Sequence, residues 1–334
     1  MPKSILTFVL LCLLYFTAQG QDPIYSQFYA APIQLNPAFA GNTVGPHISI
    51  NYRNQWPSLQ GSYVTYSAAY SQYFPTVNTG FGLMVLSDDA GEGLLKTNKA
   101  SAVFSYRLQV NRDFFLKFGA EGGVVQSRLD WDRLIFLDQI DAEIGPISPG
   151  GTPFPTEEVR PDNLNNTYVD ISAGLLAYSS NFYGGVTIKH LNTPSESFLG
   201  INENLDEGLP MRLTLHGGAE IPLSFGNNWN TNSFISPSVM FVKQGDFGQL
   251  NAGSLIKMGY IYGGVWYRHT LTNGDAVIFV AGVQQGAFKI GYSYDMTISG
   301  LGLNRSGGSH EFSLIINLER PNEVDYNDCL NLFR

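Results

Sequence analysis

The sequence has little charge and almost no cysteine. Charged residues make up 14% of the 334 positions, whereas a soluble domain averages roughly 25%. Of the two cysteines, Cys12 lies in an apolar run at the amino terminus and only Cys329 follows it, so an exported chain has no internal disulfide. The low charge and the 13% aromatic content exclude a disordered chain. The net charge of −9 gives no basic footprint, so we expect no nucleic-acid partner.

Long hydrophobic runs are missing after the amino terminus. No later stretch approaches the roughly 20 apolar residues of a membrane-spanning helix, which excludes a helical membrane protein. At the amino terminus, Lys3 precedes an apolar run from Ile5 to Phe16, and small residues follow. This pattern predicts a secretory signal peptide over residues 1–20, cleaved between Gly20 and Gln21. A permanent amino-terminal anchor is the alternative.

Motifs of enzyme chemistry are missing as well. The sequence contains no H-E-x-x-H, G-x-S-x-G, Walker A or G-x-G-x-x-G pattern, and no histidine has metal-ligand spacing to a cysteine or another histidine. We therefore expect a non-enzymatic protein with no catalytic residue, no cofactor and no metal site. His216 and His310 are predicted to join polar networks inside the fold. The acidic stretch 88–92 is interpreted as a solvated loop rather than a Ca²⁺ site.

What the sequence does contain is a strong alternation of period two. Ile290, Tyr292 and Tyr294 alternate with Lys289 and Asp295, as in a strand with one apolar and one polar face. Such segments run about 9–13 residues, close to the roughly 9–11 of a tilted membrane strand. The mean hydropathy of −0.04 is then the average of a lipid-facing and a water-facing surface.

The pattern predicts an all-β fold, a transmembrane antiparallel outer-membrane β-barrel of about 14 strands with both termini periplasmic. A large soluble β-sandwich is the alternative. The predicted strands lie near 46–55, 62–73, 78–87, 95–108, 113–125, 166–178, 181–190, 210–222, 232–243, 247–258, 260–271, 275–284, 286–298 and 309–319. Charges of both signs fall on the predicted inner face, which favours ion pairs across the lumen over a selective pore. They are Arg53, Asp170, Lys189, Arg212, Glu220, Arg268, Lys289, Asp295 and Glu311.

Connection lengths support the barrel and divide the chain. The long connections 126–165, 191–209 and 299–308 are all odd-numbered, as expected when long loops are extracellular and short turns periplasmic. We therefore predict a signal peptide at 1–20, a periplasmic segment at 21–45, the barrel at 46–319 and a periplasmic tail at 320–334. The segment 21–45 is apolar, aromatic and contains proline, so it either plugs the barrel base or binds a partner.

Several motifs, in order along the chain, resemble those of the PorP/SprF family of the type IX secretion system of Bacteroidota. They are QDPIYSQF at 21–28, LNPAFAG at 35–41, YRNQWP at 52–57, YSAAY at 66–70, FLDQID at 136–141, IGYSYD at 290–295 and GGSHEFSL at 307–314. The family often ends in a Cys-Pro pair and a terminal Phe. Here Leu330 follows Cys329 and Arg334 follows Phe333.

The resemblance implies a function in protein secretion at the cell outer membrane. Members of the family act with the secretion and gliding machinery, or hold secreted adhesins at the surface by their C-terminal domains. The implied partners are such a secreted surface protein, other type IX secretion or gliding components, and membrane lipid. The alternative is a passive porin or small-molecule transporter. A barrel-borne hydrolase is a third hypothesis.

Three groups of residues are the candidates for partner binding. The first lies at the end of the first strand and in the first outer turn, although Trp56 is also typical of an interfacial girdle. The second lies in the amino-terminal segment, and the third in the first long loop, which is either a recognition loop or an acidic, solvated one. These candidates are Arg53, Asn54, Gln55 and Trp56, then Asn36 and Pro37, and then Asp138, Gln139 and Asp141.

Overall fold

The alternating segments form one antiparallel sheet in a computed structural model of the chain. The structure describes residues 21–141, 143–147, 150–198, 208–223, 233–319 and 328–334. The predicted signal peptide, including Gly20, lies outside these residues. The strands are β1 His47–Gln55, β2 Tyr63–Phe74, β3 Thr79–Ala90, β4 Leu95–Gln109, β5 Phe114–Leu129, β6 Asn165–Ser179, β7 Phe182–Lys189, β8 Arg212–Ala219, β9 Ile221–Pro222, β10 Phe234–Gln244, β11 Phe247–Met258, β12 Ile261–Thr270, β13 Gly274–Gln285, β14 Phe288–Thr297 and β15 Ser309–Asn317.

The sheet closes on itself. The strands pair in chain order, except that β8 and β9 do not pair with each other, and β1 pairs with β15 from His47↔Asn317 onward. The strands β8 and β9 both pair with β10 and are separated only by Glu220, so they act as one interrupted strand. The described residues therefore form a closed barrel of fourteen strands, which confirms the predicted fold and strand number. Closure leaves no strand edge unpaired. An unpaired edge would expose backbone N–H and C=O groups to lipid, where they have no hydrogen-bond partner.

The two faces of the sheet are as the alternation predicts. In β14, Ile290 is 52% exposed on the outer surface, while the neighbouring Lys289 is 4% exposed and points inward. All the charged residues predicted for the inner face are buried, so that prediction is confirmed. The prediction for His216 is also confirmed, because it is buried in the lumen next to Asn36. The prediction for His310 is wrong: its ring lies on the outer face, 2.8 Å from the Tyr292 hydroxyl.

The two ends of the barrel differ in their connections. At one end the connections are tight, such as 180–181 and 286–287. At the other, 130–164, 190–211 and 298–308 join β5 to β6, β7 to β8 and β14 to β15. We call these the short-turn end and the long-loop end. Residues 224–232, in the connection between β9 and β10, lie outside the described residues.

Helices are few and short. They are α1 Pro32–Leu35, α2 Leu303–Ser306 and the 3-10 turns Phe28–Ala30, Pro37–Phe39, Pro75–Val77, Trp131–Arg133, Leu137–Gln139 and Asn331–Phe333. In the part of the chain that the structure describes, no helix has the length and apolar character needed to cross a membrane. Pro32 and Pro37 each open a helical turn, where a missing N–H costs nothing.

The first and the last of the described segments both occupy the lumen. Residues 21–45, which we call the plug, run inside the barrel and are almost entirely buried. Residues 328–334, which we call the cap, lie against the short-turn end, where the Cys329 amide donates to the Ser179 carbonyl at 3.1 Å. Phe333 of the cap stacks on Phe39 of the plug with ring centroids 4.4 Å apart. The remainder of the predicted carboxy-terminal tail, 320–327, lies outside the described residues.

Candidate functional site

The plug rests on strands that carry glycine at the contact. A Cβ atom at Gly119 of β5 would collide with the backbone of Pro37 and Ala38, and one at Gly174 of β6 would collide with the Asn36 side chain. The Asn36 side chain donates to the Leu175 carbonyl at 3.1 Å and accepts from the Ala38 amide at 2.9 Å, which caps the 3-10 turn. The predicted pair Asn36 and Pro37 therefore lies where the plug meets the wall.

Buried lysines donate hydrogen bonds to backbone carbonyl groups of the plug and of the cap. The Lys117 ammonium donates to the carbonyls of Ala40 at 2.9 Å and Gly41 at 3.2 Å. The Lys289 ammonium donates to the Leu332 carbonyl of the cap at 2.6 Å. These bonds supply charged partners to backbone groups that have left water.

An ion cluster binds the plug at Ser26 and Gln27. Arg53 lies 3.0 Å from Asp295 and 3.0 Å from Glu311, and it donates to the Ser26 hydroxyl at 2.7 Å. The backbone amides of Ser26 and Gln27 each donate to Glu311 at 2.8 Å. The cluster therefore joins β1, β14 and β15 to the plug, and Arg53 makes its contacts inside the barrel.

Above the plug, toward the long-loop end, the lumen opens into a cavity of about 630 Å³, the vestibule. Pro23 and Ile24 of the plug line it from below, and its walls carry charges of both signs. Three of the predicted site residues line it: Arg53, Gln55 and Trp56. The predicted first mature residue, Gln21, also lines it. Residues of the plug therefore separate this cavity from the short-turn end.

The first residues of the plug are bound at one side of the vestibule. The Asp22 carboxylate lies 2.7 Å from His190 Nε2 and 3.1 Å from the Arg212 guanidinium, and His190 Nδ1 lies 2.9 Å from Asp170. Burial opposes ionisation of Asp22, but the Arg212 charge and the His190 hydrogen bond outweigh it and hold the pKa of Asp22 well below its usual range. Burial also opposes the charged form of His190, yet the two carboxylates raise its pKa above the usual value.

The third group of predicted residues folds the long loop 130–164 instead of facing the vestibule. Asp138 accepts from the Thr156 hydroxyl at 2.9 Å and from the Glu157 amide at 2.6 Å. Gln139 accepts from the Phe136 amide at 2.8 Å, and Asp141 accepts from the Glu143 amide at 2.8 Å. The polar side chains of this segment therefore satisfy the loop's own backbone.

The structure thus divides the predicted residues among three places. Arg53, Gln55 and Trp56 line the vestibule. Asn54 lies between Arg53 and Gln55 on β1, where it pairs with Val64 of β2 and His310 of β15. Asn36 and Pro37 lie in the plug, and the loop residues lie outside the barrel wall. The sequence did not predict that Asp22, His190 and Arg212 form one group. Their contact depends on the path that the first residues of the plug take inside the barrel. In the described parts of the chain, no group of His, Cys, Asp and Glu side chains is arranged to hold a metal ion.

Comparison with known proteins finds one matching family model and several solved structures of low sequence identity. A family model described as "Type IX secretion system membrane protein PorP/SprF" matches residues 17–316. The comparison with curated proteins gives no match. A mutant of the Pseudomonas aeruginosa ferric enterobactin receptor PfeA is 10% identical, with a TM-score of 0.32 over 76% of this chain and 45% of that one. The chain thus spans less than half the receptor's length.

Two further structures cover more of their own chains. A mutant of the Rh. blastica porin is 5% identical, with a TM-score of 0.33 over 82% of this chain and 99% of that one. The TodX deltaS2S3 mutant, a monoaromatic hydrocarbon channel, is 11% identical, with a TM-score of 0.44 over 85% of this chain and 92% of that one.

Proposed function

This chain belongs to the PorP/SprF family of type IX secretion system membrane proteins, and from that premise we propose that it is a non-enzymatic receptor of the outer membrane. It holds secreted surface proteins, such as adhesins, by their C-terminal domains, and so supports secretion or gliding. Other components of the secretion or gliding machinery are its further partners. The signal peptide over residues 1–20 is removed during export to the outer membrane.

One observation carries the proposal. The chain's own plug and cap occupy the lumen at the short-turn end, while the vestibule and the long loops lie at the opposite end. A passive porin needs a continuous water path, and the bonds that join the plug to Lys117, Leu175 and Arg53 of the barrel wall oppose one. An open binding face over a filled barrel suits a protein that retains a partner.

The orientation follows from the connections. In outer-membrane barrels the short turns face the periplasm and the long loops face outward, so we place the cap on the periplasmic side. The carboxy-terminal tail and the chain entering β1 are then periplasmic, whereas Asp22 reaches the outer half of the lumen. The vestibule opens toward the outside, where a partner that has crossed the membrane is bound.

The test combines genetics with purification. We expect deletion of the gene to remove a specific surface protein, and the wild-type gene on a plasmid to restore it. That surface protein copurifies with the tagged barrel from detergent-solubilised membranes. Unchanged surface proteins and unchanged motility after deletion would contradict the proposal.

A further inference from the structure

Large apolar side chains are exposed on the long loop 130–164. Leu137 is 90% exposed and Val159 77%, and Ile135, Ile140 and Ile144 are each about half exposed. These residues lie in the connection between β5 and β6, beyond the barrel wall that faces lipid. Scattered exposed apolar residues are normal, but several on one loop mark an interaction site.

The loop's own hydrogen bonds hold these side chains outward. Asp138 binds Thr156 and Glu157, which brings together the two segments that carry Leu137 and Val159. Gln139 is buried and joins the Phe136 amide to the Phe154 carbonyl at 2.5 Å. Because Asp138 and Gln139 bond within the loop, the apolar side chains beside them are left exposed for a partner.

A second pair of contacts anchors the base of the loop. The Asp130 amide donates to the Leu94 carbonyl at 2.8 Å, and Arg133 donates to the Glu92 carbonyl at 2.6 Å. The Trp131 and Phe136 rings pack with centroids 4.8 Å apart. A binding surface that is ordered before its partner arrives loses less conformational freedom on binding.

The charge of the loop selects the occupant. Residues 130–164 contain eight acidic side chains and two basic ones: Asp130, Asp132, Asp138, Asp141, Glu143, Glu157, Glu158 and Asp162, against Arg133 and Arg160. An acidic loop is repelled by anionic lipid head groups and by the same loop of a second copy. It attracts a protein surface whose apolar centre is bordered by lysine and arginine.

We infer that the described residues of this loop, 130–141, 143–147 and 150–164, are the docking surface for the C-terminal domain of the secreted partner, through an apolar patch around Leu137 and Val159 with an acidic rim. This inference rests on the proposed function and names the part of the receptor that makes first contact. It predicts that the matching face of the C-terminal domain is apolar with a basic border.

The experiment measures binding of a recombinant C-terminal domain to the purified full-length barrel in detergent. The domain is taken from the surface protein that deletion of the gene removes. The variant Leu137→Ser/Val159→Ser should weaken binding by about tenfold or more, since two exposed apolar contacts are lost. Val77→Ser is the matched control, because Val77 is 60% exposed in the turn between β2 and β3 at the short-turn end; it should leave affinity unchanged.

Charge is tested separately. Glu157→Lys/Glu158→Lys should weaken binding by about tenfold at low salt, and the difference should shrink at high salt because surface charges are screened. Both loop variants are checked for the wild-type gel mobility of the folded barrel. Native mass spectrometry of the barrel alone shows whether the loop pairs two copies instead.

The outcomes separate the two ideas. Equal binding by the wild type and the Leu137→Ser/Val159→Ser variant overturns the docking surface and leaves the proposed function standing. A dimer that this variant abolishes also overturns it, since the loop would then bind a second copy. No binding of the C-terminal domain to the wild-type barrel overturns the proposed function itself. Binding that both loop variants weaken, and Val77→Ser does not, supports the docking surface.

Discussion

Arg53 shows how one side chain joins the plug to the barrel wall. Its guanidinium forms ion pairs with Asp295 and Glu311 and donates a hydrogen bond to the Ser26 hydroxyl, and all three partners are buried. A buried ion pair rarely adds much stability over apolar packing, but breaking one leaves an uncompensated charge. The cluster therefore specifies which plug residue meets which strand more than it adds stability.

Replacing Arg53 by alanine should destabilise the barrel by about 3–5 kcal/mol, because buried Glu311 loses its cation and buried Asp295 keeps only Arg268. Arg160→Ala is the matched control: Arg160 pairs with Asp132 at 2.8 Å, but both side chains are more than half exposed, so the cost should be about 1 kcal/mol or less. Unfolding by urea in detergent, followed by tryptophan fluorescence, gives both values. Equal losses would show that the Arg53 cluster is not structurally important.

His190 should make binding of the plug's first residues depend on pH. Its pKa is raised in the folded chain by Asp22 and Asp170, so the stability it contributes is complete below its usual pKa of 6.5 and is lost as the pH rises through the higher folded value. Asp22 has a lowered pKa, so its contribution is present above its usual value of 3.8 and disappears only in stronger acid.

We therefore expect the melting temperature to fall by roughly 1–3 °C between pH 5.5 and pH 8, and His190→Gln to remove most of that difference. His269→Gln is a suitable control, because His269 lies near Tyr267 at the long-loop end of β12, out of phase with the inward-facing Trp266 and Arg268. A His190→Gln variant with the wild-type pH profile would argue against this role.

At the scale of elements, glycine decides where the plug and the wall meet. The strand β5 carries one glycine in contact with the plug and one that is free of contact. Gly119 faces the plug, whereas a Cβ atom at Gly122 would meet nothing within 4 Å. The same substitution at the two positions therefore isolates the effect of contact with the plug from the effect on the strand.

Gly119→Val should displace the plug around Ala38, whereas Gly122→Val should be neutral or slightly stabilising, since valine favours strands. Cys329 reports the result, because burial raises the pKa of its thiol to about 12 and makes it unreactive. We expect faster maleimide labelling of Cys329 in Gly119→Val and wild-type labelling in Gly122→Val. Equal rates would mean that the cap stays in place when the plug moves.

At the scale of the whole molecule, alternation and loop length were sufficient to predict the barrel and its lumenal charges. They were also sufficient for His310: Phe312 and Leu314 of β15 face outward, and His310 shares their parity, so the error came from treating histidine as polar. The path of the plug was not predictable. An apolar segment such as Phe28–Ala30 is stabilised equally well by a lumen or by a partner, and local pattern does not distinguish them.

The interlocked ends predict that the barrel does not conduct until its plug is removed. A barrel of fourteen strands is wider than the eight-stranded barrels that side chains alone fill, so it needs the plug and cap to close it. Deleting residues 22–42 removes Ser26, Asn36 and Ala40, which bond to Arg53, Leu175 and Lys117 of the barrel wall. In planar bilayers we expect the wild type and Gly122→Val to be closed and the deletion variant to conduct. Conductance by the wild type would instead favour the porin, and a closed deletion variant would show that the cap and inner side chains seal the lumen alone.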